Sequence, residues 1–218
     1  MIEQEKIIEK TKNFIRKKFE GESSGHDWWH IYRVWQNSRV IGKEEGANMY
    51  VVQLGALLHD IADYKFHGGD FTAGPKAARE YLEKLRVNEK TINNVCYIVE
   101  NISFKGAGAE KPMKTLEGKI VRDADRLDAM GAIGIARCFA YGGHKGKPIH
   151  LPEVKPKLHQ TAKEYLARQN SQINHFHEKL LLLKDLMLTQ AGKRMAKRRH
   201  QYMLQYLEQF NNEWEGLV

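Results

Sequence analysis

His59 and Asp60 stand side by side at the end of the apolar run Leu54-Gly55-Ala56-Leu57-Leu58, an imidazole and a carboxylate in a helix patterned for burial. A buried ion is costly unless something compensates it, and a divalent cation would do so for both groups at once. The chain offers two more donors of the same kind. His30 lies in Gly25-His26-Asp27-Trp28-Trp29-His30 and Asp125 in Asp123-Ala124-Asp125-Arg126-Leu127-Asp128, each again in an apolar helical context. Two neutral imidazoles and two carboxylates mix intermediate and hard donors. That set suits Mn²⁺, Fe²⁺, Co²⁺ or Zn²⁺ better than an oxygen-only Ca²⁺ or Mg²⁺ cage. Four protein ligands leave positions open on an octahedral ion for water and a phosphate oxygen, which marks a catalytic rather than a structural centre. Such an ion lowers the pKa of water and polarises the phosphoryl group under attack.

The elements that must position these donors are helices. Helical periodicity dominates, no segment alternates apolar and polar residues long enough to argue for a sheet, and the expected class is all-α. Ile7, Ile8, Phe14, Ile15 and Phe19 outline a first amphipathic helix that stops at Gly21. A second is expected over about 26–45, ending before Gly46. Asn48 can cap a third over 49–61, apolar on nearly all sides. At its end His59 and Asp60 point about 100° apart and can still converge on one ion. Residues 63–75 read as loop, followed by a helix from Pro75 to about Val87, then one capped by Asn88 and ending near Ser103. After a loop over 105–112, Thr115 begins the helix that bears Asp125, and Gly131 marks a break. A second long loop is expected over about 141–158, and helices over about 161–188 and 189–214 close the chain.

Other groups acquire roles from their spacing. Arg33, Lys65 and Arg126 lie within a few residues of the donors, as cations for a transferring phosphoryl group or as surface and ion-paired charges. Asp63 falls three residues after Asp60, where it either orients or deprotonates an attacking water or makes a salt bridge at the helix end. His67, Asn101, Ser103, Lys105, His144 and Lys145 sit in or beside glycine-bearing loops and are candidate rim contacts. Trp28, Trp29, Tyr64, Phe66, Phe104 and Tyr141 offer rings to a base or to the core.

The ordered set His, His-Asp, Asp resembles the signature of the HD-domain superfamily, metal-dependent phosphohydrolases with an all-helical core. Three strings extend the likeness to the YpgQ/YedJ type of bacterial HD hydrolase. They are His26-Asp27-Trp28-Trp29-His30-Ile31-Tyr32-Arg33-Val34-Trp35, Leu57-Leu58-His59-Asp60-Ile61-Ala62-Asp63-Tyr64-Lys65-Phe66-His67 and Asp123-Ala124-Asp125-Arg126-Leu127-Asp128-Ala129-Met130-Gly131-Ala132-Ile133-Gly134. The tail Asn174-His175-Phe176-His177-Glu178-Lys179-Leu180-Leu181 through Lys184-Asp185-Leu186-Met187 is similar as well.

The resemblance implies an HD-domain helical bundle with additional C-terminal helices: one domain over 1–218, its HD core at about 22–142 and its helical extension at about 159–215. It places the ligand at His30, which leaves His26, four residues before it on the same face, to contact the substrate or to support the ligands; Asp27, and Asp128 three residues after Asp125, read as carboxylates that support ligands or anchor helices. Cyclic-nucleotide phosphodiesterases of the superfamily bind two metals through extra histidines between the HD pair and the final Asp. Only His67 lies in that interval here, so one metal is expected. Mn²⁺ is preferred, with Fe²⁺, Co²⁺, Zn²⁺, Ni²⁺ or Mg²⁺ as alternatives. Relatives that hydrolyse alarmones use acidic residues after the HD pair, which by analogy supports Asp63, with Asp60, in catalysis. The implied activity is nucleoside triphosphate pyrophosphohydrolysis, notably of deoxynucleotides, to a monophosphate and pyrophosphate. The alternatives are an HD-type phosphatase or phosphodiesterase, a basic nucleic-acid-binding module, or a nucleotide sensor without turnover.

Composition narrows the field. A chain of 218 residues with 42% hydrophobic content supports one sizeable core, and no linker, repeat or low-complexity tract interrupts it. Cys96 and Cys138 sit in apolar helical stretches without metal-type spacing and read as small buried hydrophobes in a reducing compartment. The start lacks the apolar run of a signal peptide, and no window is long enough to span a bilayer; a soluble cytoplasmic protein is expected. The net charge of +8 is concentrated in Lys193-Arg194-Met195-Ala196-Lys197-Arg198-Arg199-His200, which reads as the solvated face of an amphipathic helix. No aromatic-interleaved basic groove accompanies it, so nucleic acid is not the expected partner. A small-molecule nucleotide is, with no membrane contact, on a monomer or homodimer.

Overall fold

Nine α-helices and one 3-10 helix make up the regular structure of the described residues, 2–21, 27–62, 72–102, 112–157 and 171–218 of this computed structural model, and no strand occurs among them. They are α1 (Ile2–Lys18), α2 (Trp28–Glu44), α3 (Met49–Leu58), α4 (Ala73–Lys84), α5 (Glu89–Asn101), α6 (Leu116–Asp128), α7 (Gly131–His144), α8 (Gln172–Glu178), the 3-10 helix Leu180–Leu186 and α9 (Gln190–Trp214). The all-α expectation holds. The described residues divide into two compact units, one within 2–124 and the other within 125–218.

In the first unit α3 is central because its sequence has no polar face: Tyr50, Val51, Val52, Leu54, Gly55, Ala56, Leu57 and Leu58 are all buried. It packs against α1, α2 and α5, and α4 packs against α5. Asn48 starts it as expected, its side chain accepting hydrogen bonds from the Tyr50 and Val51 N–H groups. The helix stops earlier than the periodicity suggested. After Leu58 the backbone tightens, the Ile61 N–H donating to the Leu58 carbonyl at 3.0 Å, so His59 and Asp60 occupy a turn at the helix end. Similarly, α2 begins at Trp28, because Asp27 is its N-cap. Helix α4 begins at Ala73, two residues before Pro75.

In the second unit α7 and the 3-10 helix pack on α9, and α8 packs on α7 and on the 3-10 helix. Phe176 is fully buried between Phe139 and Tyr206, with ring centroids 5.9 Å away from each. Gly131 breaks the chain between α6 and α7 as expected, at φ +69, a conformation that other residues adopt at a cost. Helix α7 nevertheless runs through Tyr141-Gly142-Gly143 to His144, where a loop was expected. At Gly142 an added Cβ would lie 2.3 Å from Gln172 Cδ, so this glycine serves close packing of α8 rather than a turn. The helix expected over 161–188 is not continuous. Residues 172–178 form α8 behind its Ser171 cap, Lys179 departs from helical geometry, and the tighter 3-10 winding of Leu180–Leu186 turns Leu180 and Leu183 inward together.

Both cysteines are free thiols. Cys138 is buried beside Gln172, to whose Oε1 its thiol donates at 3.2 Å. Burial pushes this thiol up to about 12, Lys179 and Lys147 pulling weakly the other way. Cys138 should therefore resist alkylation in the folded protein at pH 8 and react once the chain is unfolded in urea. The sign for stability follows: this contribution is complete below the ordinary value of 9.0 and is lost as pH rises through about 12. An alkaline urea titration of wild type against Cys138→Ala measures it.

Candidate metal centre

The first turn of α2 is held by Asp27, whose Oδ1 accepts a hydrogen bond from the His30 N–H at 2.8 Å. This N-cap fixes the backbone that carries His30, and the imidazole is 2% exposed. His59 follows α3 directly and is 5% exposed. Its Nδ1 lies 2.8 Å from the Ala56 carbonyl oxygen, which can only accept, so Nδ1 carries the proton and Nε2 presents a lone pair. That backbone contact also fixes the plane of the ring.

The donor atoms converge. His59 Nε2 is 3.2 Å from His30 Nε2 and 3.3 Å from Asp60 Oδ2, and His30 Nε2 is 3.5 Å from Asp60 Oδ2. Donors about 2.1 Å from a shared ion at roughly 90–110° stand about 3.0–3.4 Å apart, so these separations fit a first-row divalent cation. The Asp60 side chain keeps 11% of its surface open while both imidazoles are nearly closed off, which gives the cluster a buried back and an accessible carboxylate. His30, His59 and Asp60 form the group able to hold a metal among the described residues.

Asp125 lies on α6, in the second compact unit, and is partly buried. Arg33 lies on α2 one turn after His30 and is partly exposed. The Asp128 Oδ2 accepts from Arg137 Nη1 at 2.6 Å, joining the end of α6 to α7. Arg126 is engaged elsewhere than at a phosphate, its Nη1 donating to the Leu186 carbonyl. His144 and Lys145 stand at the exposed end of α7, the Lys145 ammonium 5.8 Å from the centroid of the Tyr141 ring. Among the rings proposed for a base, Trp28 is buried whereas Trp29 and Tyr141 are exposed. His26, Asp63, Lys65, His67, Ser103 and Lys105 lie outside the described residues, as do Tyr64, Phe66 and Phe104.

Two groups escaped the sequence reading. One is the Ala56 carbonyl, a backbone atom that no residue type announces. The other is the neighbouring pair Arg122 and Asp123 on α6, 5% and 0% exposed. Arg122 Nη2 donates to the Asn101 carbonyl at 2.6 Å and so ties α6 to the end of α5. The signal for them in the sequence was two adjacent charges at helix positions flanked by Ile120, Val121 and Ala124, where burial demands partners.

Comparison with known proteins agrees with this geometry. The HD domain family model matches residues 28–130. The uncharacterized protein YpgQ of Bacillus subtilis is 34% identical over 214 residues, 97% of this chain and 96% of that protein. The crystal structure of an HD-superfamily hydrolase from Bacillus thuringiensis is 42% identical, with a TM-score of 0.78, covering 97% of this chain and 98% of that one. That of Bacillus subtilis YpgQ in complex with ADP is 32% identical, with a TM-score of 0.75, covering 97% of this chain and 100% of that one. A helical chain with a buried His, His-Asp cluster and these relatives is an enzyme of the metal-dependent phosphohydrolase class. It belongs to the HD-domain superfamily, in its YpgQ type.

Proposed function

We propose that this enzyme hydrolyses a nucleoside triphosphate to the monophosphate and pyrophosphate, with deoxynucleotides among its substrates. The carrying observation is the convergence of His30, His59 and Asp60 donors at 3.2–3.5 Å from one another. Asp125 is proposed as the fourth ligand on the order of the HD signature, around one divalent metal, Mn²⁺ preferred. The bound ADP of the YpgQ structure supports a nucleotide as the ligand class. No helix among the described residues is long and apolar enough to cross a membrane, and a cytoplasmic setting, where nucleotides and reduced thiols coexist, suits the two free cysteines.

When bound, the ion supplies Lewis-acid polarisation of a phosphoryl oxygen and an acidified water. The chain's own residues do the rest. The Ala56 carbonyl holds the His59 ring with Nε2 inward, and the Asp27 cap keeps His30 in register. Asp63 is assigned to orient the water and receive its proton. Water oxygen then bonds to the α-phosphorus while the bond from that phosphorus to the bridging oxygen breaks, and pyrophosphate leaves. His26, Arg33, Lys65, His67, Lys105, His144 and Lys145 are proposed as contacts to the substrate.

Incubating the purified protein with each nucleoside triphosphate and Mn²⁺, Mg²⁺, Co²⁺ or Zn²⁺, with phosphate and pyrophosphate detected separately, tests this reading. Equal amounts of monophosphate and pyrophosphate, abolished by chelator, are expected. Stepwise release of orthophosphate, or a nucleoside with tripolyphosphate, overturns it.

A further inference from the structure

Helix α2 carries three tryptophans, and they are not treated alike. Trp28 and Trp35 are each 8% exposed, whereas Trp29, the residue before His30, is 57% exposed. A large apolar ring left open gives up the burial that its neighbour obtains. Its setting is nevertheless a fixed one. The ring of Tyr32 meets Trp29 edge-on, centroids 5.9 Å apart at 81°. Tyr32 also touches Trp28 at 5.9 Å and Trp35 at 6.0 Å, and the Trp35 indole N–H donates to Gln53 on α3 at 3.2 Å. The exposed indole is therefore braced by the same α2–α3 pair that brings His30 and His59 together. It stands within the first turn of α2, the turn capped by Asp27.

Helix phase places it usefully. Arg33 follows Trp29 by four residues and His30 by three, so it shares an edge of α2 with both. An exposed indole, a cation one turn on and, at the next residue, an imidazole able to hold a metal match the parts of a nucleoside phosphate: a flat π-system at one end and anionic oxygens at the other. The other exposed ring among the described candidates, Tyr141, already has the Lys145 ammonium 5.8 Å from its centroid.

We infer that Trp29 is the stacking platform for the base of the substrate, and so the residue that makes this site prefer a nucleotide over a bare polyphosphate. The inference rests on the nucleotide reading above. Stacking tolerates every base because each has a π-face, and larger rings overlap more, so all four bases are accepted and purines are favoured.

The test compares wild type, Trp29→Phe and Trp29→Ala in binding two probes with Mn²⁺ present, α,β-methylene deoxyadenosine triphosphate and inorganic tripolyphosphate, by calorimetry. Trp29→Ala is expected to weaken the nucleotide analogue by about tenfold or more, with tripolyphosphate unchanged and Trp29→Phe in between. Quenching of tryptophan fluorescence by the analogue should fall in both variants. Equal weakening of both probes, or of neither, overturns the platform, and unchanged thermal melting shows that each variant is folded. If wild type releases no pyrophosphate from any triphosphate while the analogue alone still depends on Trp29, the hydrolytic reading falls and the platform stands. If pyrophosphate is released but probe binding is indifferent to Trp29, the platform falls and the hydrolytic reading stands.

Discussion

Asp60→Ala is expected to lower metal-dependent hydrolysis by about a thousandfold or more, since a Lewis-acid ion contributes several kcal/mol to the transition state and each 1.36 kcal/mol is tenfold. The expectation follows from where the side chain sits. Asp60 Oδ2 is 3.3 Å from His59 Nε2 and 3.5 Å from His30 Nε2, so its loss removes the negative charge and one of the three donors together. Asp60→Asn keeps the shape without the charge and should fare little better. His59→Ala should match Asp60→Ala, because its Nε2 lies within 3.3 Å of both other donors. Metal content of the purified variants, read beside activity, separates a lost ion from a lost fold. Helix α3 ends at Leu58, before either substitution, so the helical circular dichroism signal should persist. Chelated wild type should lose activity to the same extent and regain it on adding Mn²⁺, whereas Asp60→Ala should not. Substantial turnover by Asp60→Ala, or by chelated wild type, would dismiss the metal mechanism.

What the sequence disclosed and what it withheld have physical reasons. Helix α3 was legible because a helix apolar on every side can only be central, and Asn48 marked its start. His30, His59 and Asp60 were legible because donors of these types are expensive to bury without a cation, so their mere presence in apolar runs carries information. The phase of α2 was not. Trp28, Trp29, Tyr32 and Trp35 share one arc of about 120° on α2, and only the fold decides that within it Trp28 is covered and Trp29 open. Gly142 misled for a related reason: glycine permits a turn and permits close approach, and only the neighbouring Gln172 distinguishes them. At Lys179 a run of leucines reads equally well at 3.6 or 3.0 residues per turn, so the change of helix type left no mark. By its place beside His30, Asp27 is expected to support the metal ligands. It supports them through a backbone N–H, a partner common to every residue and therefore silent in sequence.

The second large effect is on stability, at the end of α6. Asp128 is 1% exposed, and its carboxylate accepts from Arg137 Nη1 at 2.6 Å. The same Arg137 nitrogen lies 3.3 Å from the Asp128 carbonyl oxygen, and Arg199 Nη1 donates to the Leu127 carbonyl. Two guanidinium groups thus satisfy the final carbonyls of α6, where the helix dipole favours positive charge. Burial holds the Arg199 guanidinium below its ordinary value, and the Asp128 charge opposes that shift. Asp128→Ala therefore removes the carboxylate that Arg137 pairs with and whose charge supports the Arg199 guanidinium. Breaking a buried pair from one side costs about 3–5 kcal/mol; Arg137 keeps part of its surface in water, so a loss of about 2–4 kcal/mol in urea unfolding is expected. Arg137→Met in the Asp128→Ala background removes the other half of the pair, so the double variant should be more stable than the sum of the two single losses by at least about 1 kcal/mol. Because the Asp128 carboxylate is held by Arg137 at the end of α6, folded Asp128→Ala should retain its metal, the opposite of Asp60→Ala. Stability within about 0.5 kcal/mol of wild type would show that the pair carries no such weight. Loss of metal from a variant that stays folded would instead make Asp128 a ligand.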